Sequence, residues 1–118
     1  MYVDGFVVPV PKKKRAAYIK VAKTMSRIMR DHGALEYREC VADDVKPGKW
    51  TSFPQAVKLK KGEAVWFSWI VYRNRKHRDR VFAAAMKDKR MKPLMDPKNF
   101  PFDGKRIIFG GFKVEVAK

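Results

Sequence analysis

Few side chains in this sequence have both the chemistry and the setting for acid–base or nucleophilic work. Asp4 stands in the apolar run Tyr2-Val3-Asp4-Gly5-Phe6-Val7-Val8, where an ionised carboxylate is costly unless paired or hydrated. Two arrangements meet that need: it bonds loop amides or Arg106, or it keeps a raised pKa and serves as the base of a pocket. Cys40, the only cysteine, follows Glu39 in an alternating segment. A thiol there is a small core residue, or a nucleophile if a base stands beside it.

His32 and His77 are the only imidazoles. Neither has a partner at H-x-x-x-H spacing, so no metal site is expected. His32 falls at the end of a helical segment, where a cation complements the helix dipole. His77, between Lys76 and Arg78, reads either as a catalytic candidate or as part of a solvated cationic face. Trp66, Ser68 and Trp69 crowd one apolar segment and are candidates for a ligand shelf, with core packing the plainer role.

The elements that must position these residues follow from periodicity. Tyr2 to Val10 is β-branched and apolar and ends at Pro9 and Pro11, which predicts a strand. Between Lys12 and His32 the residues Tyr18, Val21, Ala22, Met25, Ile28 and Met29 form a helical stripe opposite Lys20, Lys23, Arg27 and Arg30, and Gly33 suits the C′ position. Ala34 to Ala42 alternates as a second strand, with Leu35, Tyr37, Glu39 and Val41 on one face. Residues 43–52 form a loop, and Phe53 to Leu59 reads as either a short helix or an irregular edge, since Pro54 weighs against a central strand. Ala64 to Tyr72 is a strand apolar on both faces, Asn74 caps a second helix, and Lys89 to Met95 adds a helical turn. The last strand runs from Arg106 to Val116, with Gly110-Gly111 marking a bulge or a close approach.

The order β-α-β-β-α-β predicts an α+β, ferredoxin-like antiparallel sheet with two helices on one face, in one domain spanning residues 1–118. Those helices cover one sheet face only. Val65, Phe67, Trp69 and Val71 on the other face need cover as well, which predicts a C2 homodimer joined through its sheets.

Charge is the outlier of the composition. The 28 Lys and Arg against 12 Asp and Glu give a formal +16, a field that attracts phosphate or acidic partners. A nucleic-acid surface, if one exists, would use Lys20, Lys23, Arg27, Arg30, Arg73, Arg75, Lys76, Arg78 and Arg80. With one cysteine, no apolar leader and no long apolar run, the expected location is the cytoplasm and no membrane partner is expected.

Val3-Asp4-Gly5-Phe6-Val7, His32 to Glu36, Glu39 to Val45, Phe67-Ser68-Trp69-Ile70, Asp88 to Met91, Pro101 to Arg106 and Gly110-Gly111-Phe112 together resemble the YbaA-like bacterial family. The resemblance runs along essentially the whole chain, in order. It implies the dimeric α/β-barrel superfamily, whose members place small-molecule sites between helices and sheet and include cofactor-independent monooxygenases, haem-degrading enzymes and isomerases. Trp69 or Trp66, His77 and Asp4 would imitate the haem-degrading set. The family carries no assigned activity, so the resemblance implies a fold and a place for a ligand but not a reaction. Its members are typically acidic to neutral, and this chain departs from them in charge. No cofactor is expected from any motif. The functional expectation is a cytoplasmic homodimer binding or transforming a small metabolite, with a basic nucleic-acid or acidic-partner binding dimer as the alternative.

Overall fold

The structure, a computed structural model, describes all of residues 1–118. In chain order its elements are β1 (Tyr2–Pro11), α1 (Arg15–Asp31), β2 (Glu36–Val41), a one-turn α2 (Phe53–Ala56), β3 (Glu63–Tyr72), α3 (Arg75–Met86), a short α4 (Met91–Met95) and β4 (Ile108–Lys113). The four strands form one antiparallel sheet in the order β2-β3-β1-β4. That order and those connections are compatible with the ferredoxin-like plan. No helix is long and apolar enough to cross a membrane.

Side-chain alternation sorts the sheet into two unlike faces. One carries Phe6 and Val8 of β1, Trp66, Ser68, Ile70 and Tyr72 of β3, and Tyr37 and Glu39 of β2, joined by the register Phe6↔Ser68↔Glu39. It meets α1 and α3. Ile28, Met29, Ala34, Ile70, Tyr72, Val81, Ala85 and Met91 fill one end of this layer, and Val8, Val10, Tyr18 and Trp66 fill the other. Ile28 is fully buried, worth about 1.5–3 kcal/mol against leaving it exposed. The opposite face shows Val3, Val7, Phe67, Trp69, Ile108 and Phe112, with Phe67 42% and Phe112 63% exposed.

Both helix ends used to set the layer are stopped by local chemistry. After α1, the Ala34 N–H bonds Met29 O at 2.9 Å and the Gly33 N–H bonds Arg30 O at 3.1 Å, a Schellman motif with Gly33 at φ +114° as the sequence predicts. At the start of α3, Asn74 Oδ1 accepts from the His77 N–H at 2.8 Å.

One expectation needs correcting, and two open readings are decided. The Phe53–Leu59 stretch opens with α2, because the Ser52 hydroxyl accepts from the Gln55 N–H and Pro54 suits a first helical turn. The last strand is shorter than Arg106–Val116, since residues 104–106 form a 3₁₀ turn capped by Asp103. Arg106 turns inward there, its Nη2 and Nη1 donating to Glu63 Oε2 at 2.6 Å and Oε1 at 2.8 Å. This bidentate pair clamps the Pro101–Arg106 segment to the start of β3. Nor does Gly110-Gly111 make a bulge: the β1–β4 register is unbroken from Tyr2↔Lys113 to Val7↔Ile108. Gly111 serves as a close approach instead, since a Cβ there would overlap the Tyr2 ring and hydroxyl.

Candidate functional site

Between α1 and the β2 side of the sheet the layer is not filled. A cavity of about 360 Å³ remains, within the size range of small-molecule sites. Helix α1 contributes Arg15, Ile19, Ala22, Lys23 and Ser26, residues spaced to lie along one helical stripe. The sheet contributes Tyr37, Glu39, Val41 and Trp66. The walls are apolar and aromatic, with cations from α1 and one carboxylate on the floor.

Glu39 is the polar centre of this cavity. Its Oε1 accepts from the Tyr18 hydroxyl at 2.8 Å and its Oε2 accepts from the Tyr37 hydroxyl at 2.8 Å. Each oxygen keeps lone pairs for a further donor. No Lys or Arg pairs with it. Burial pushes the Glu39 carboxyl up from its ordinary value and the two phenols pull only partly back. The same burial, with the carboxylate beside them, raises both Tyr18 and Tyr37, so they remain donors throughout the working pH range. The arrangement is a carboxyl oriented by two hydroxyl donors in a groove between helix and sheet. Trp66 packs on Tyr18 with ring centres 4.8 Å apart and carries the Arg15 guanidinium 5.8 Å above its own ring.

Asp4 is buried on the helix-facing side of β1, but its partner is not Arg106. Arg78 Nη1 of α3 donates to Asp4 Oδ1 at 2.7 Å while the guanidinium lies 5.0 Å over the Tyr2 ring. Burial raises the Asp4 carboxyl against the pull of Arg78. The short charge-assisted bond identifies an ion pair, and we read Asp4 as consumed by it. Tyr72 Oη close by is buried without a hydrogen bond of its own.

The remaining sequence candidates scatter. His77 is not on a solvated face: it is 4% exposed, and its Nδ1 accepts the Arg73 N–H at 3.0 Å. Burial, with Arg73 and Arg80 adding to it, lowers its pKa, and the neutral ring serves to tie α3 to the end of β3. Cys40 is not a core residue either, because it lies exposed on the open sheet face opposite Phe67. Trp69 is on that same open face and donates to Glu36 Oε2 at 2.8 Å. Trp66 faces the groove, but its register partner Val8 lies four residues along β1 from Asp4, about 13 Å at strand rise. The Trp–His–Asp set is therefore not assembled. Ser68 is buried beside Glu39 in register. His32 Nε2 meets Asp88 Oδ2 at 2.8 Å, and Arg90 braces Asp88 and Asp31, which ties the end of α1 to the turn after α3. Of the nine proposed phosphate contacts, Arg78 is turned inward and the other eight are exposed.

No motif in the sequence marks Glu39, Tyr18 and Tyr37 as a set. A signal was present: the alternation that puts Tyr37, Glu39 and Val41 on one face places a carboxylate among residues that should be buried.

Residues 1–104 match the family described as "Protein of unknown function (DUF1428)". The chain belongs to the DUF1428 family. It is 46% identical over 112 residues, covering 95% of this chain and 94% of the relative, to the "Uncharacterized protein YbaA" of Escherichia coli K12. The relative of the same description in Shigella flexneri matches to the same extent. In this DUF1428 chain every residue of the groove falls within the matched segment.

Proposed function

We propose that the protein is a cytoplasmic homodimer in which each protomer binds a small metabolite in the groove between α1 and the sheet, and that Glu39 exchanges a proton with the bound molecule. The observation that carries this reading is Glu39 itself. In a chain with 28 Lys and Arg, its carboxylate has no cationic partner and is held by two phenols facing a cavity of about 360 Å³. Buried polar groups are normally satisfied for structural reasons alone. A carboxylate with spare lone pairs and a raised pKa in a concavity is a candidate for a working site. Native mass spectrometry of untagged protein tests the reading. The expected result is a reproducible added mass on wild type that is lost in Ser26→Trp, whose indole fills the groove. A wild type that is always empty, or a mass retained by the filled variant, would overturn it.

The dimer rests on the open sheet face. Val3, Val7, Phe67, Trp69, Ile108 and Phe112 form an uncharged surface, and the facing pair Gly5 and Gly110 leaves a depression beside the Phe112 ring. A second copy brings an identical apolar face, rimmed at β2 by Glu36 and Arg38, which pair with each other at 3.4 Å.

A second reading, phosphate binding by the helical layer, is favoured by the eight exposed cations on α1, α3 and the β3–α3 turn. Affinity for random RNA or DNA falling steeply with salt would support it.

A further inference from the structure

We propose that the ligand of the α1 groove is a small organic anion with a second, hydrogen-donating group: an acid group held by Arg15 or Lys23 and a hydroxyl or amine directed at Glu39. This inference rests on the groove reading above and adds the chemical class. Arg15 and Lys23 both line the cavity, and neither is spent in an ion pair. They stand eight residues apart on α1, about 12 Å along the helix axis at 1.5 Å per residue. Tyr18, whose hydroxyl holds Glu39, falls between them in the chain.

The polar requirements are complementary rather than redundant. Glu39, already accepting two O–H donors, has only acceptor capacity left when ionised and asks for a donor. The two cations offer only donors and ask for an acceptor. A simple amine meets Glu39 but is repelled by Arg15 and Lys23, and a simple carboxylate leaves Glu39 without its donor. A hydroxy or amino acid meets both. Its body lies against Ile19, Val41 and Trp66.

The probes are 4-hydroxybenzoate, its neutral analogue 4-hydroxybenzyl alcohol and the amine tyramine, each titrated calorimetrically into the full-length protein at fixed moderate salt. The expected order is anion first, by about tenfold or more over the alcohol, as a charge-assisted bond implies. That preference is lost in the Arg15→Gln, Lys23→Gln double variant and kept in Arg75→Gln, which removes one charge from α3 outside the groove. Comparison with Arg75→Gln separates a local acid site from the attraction that a +16 chain exerts on any anion. Equal binding of anion and alcohol, both abolished by Ser26→Trp, overturns the anion inference while leaving the groove reading intact. A preference that survives the double variant overturns it too, as does a wild type that binds none of the three. In that last case the added mass on native protein decides the groove reading separately.

Discussion

Burial raises the Glu39 carboxyl, and that direction gives its contribution to stability a sign. A carboxyl whose folded pKa lies above its unfolded value contributes stability fully below the unfolded value, 4.5, and loses it as pH rises through the folded pKa. Removing the ionisation should therefore cost little at neutral pH. Glu39→Gln is expected to match or exceed wild type in Tm at pH 7, with the gap in its favour widening as pH is raised from 4.5, while ligand binding is lost. Thermal scans across that range, with native mass spectra beside them, check both halves. Asp4 and Arg78 behave in the opposite way. Each is mostly buried, at 11% and 22% side-chain exposure, so truncating one leaves the other charged and unpaired. Arg78→Ala is expected to destabilise by about 3 kcal/mol in urea unfolding, and Asp4→Asn combined with Arg78→Met to recover part of it.

Helix α1 makes the groove, so what fixes its two ends fixes the site. Gly33 at its C-terminus holds φ +114°, and a Cβ there would stand 3.3 Å from His77 Nε2. Gly33→Ala is expected to cost about 1 kcal/mol or more, read as a lowered urea midpoint at unchanged slope. Asp88 braces the same end, and its Arg90 and His32 contacts hold its carboxyl well below the ordinary 3.8. Its contribution is present above 3.8 and is lost as pH falls through the folded value, so the Tm deficit of Asp88→Asn should close on acidification. Much of this framework is legible in the chain: the α1 stripe, the Gly33 stop, the Asn74 cap and the division of β3 into Phe67/Trp69 and Trp66/Ser68 faces all follow from period and local chemistry. Long-range pairings are not legible that way. Asp4 meets Arg78 rather than Arg106, and His77 is buried by the end of α1, because those contacts depend on how helices and sheet dock. Glu39 was visible as a carboxylate on a buried face, but the groove that gives it meaning exists only once α1 lies across β2.

One sheet face is covered by helices α1 and α3, and the other carries exposed aromatic and aliphatic side chains, with Phe53 of α2 packed edge-on against Phe67. Phe67 is half-exposed there, so Phe67→Lys should leave the protomer folded while placing a charge at the centre of the proposed dimer. Light scattering is expected to report a dimer for wild type and a monomer for the variant, and a wild-type monomer would remove the dimer from the account. Net charge adds a second check. Two copies of a +16 chain repel each other, so the dimer should tighten as salt rises, whereas any phosphate-directed binding should weaken. The opposite salt slopes separate pairing through the sheet face from phosphate binding by the helical layer.

The most direct test of the groove is the titration of the Glu39 side-chain carboxyl by carbon-detected NMR, assigned through Glu39→Gln. The account predicts a midpoint above the ordinary 4.5 that shifts when 4-hydroxybenzoate is added and is unmoved by the same ligand in Ser26→Trp. A midpoint at or below 4.5, indifferent to ligand, would show a carboxylate held for structure alone and would contradict it.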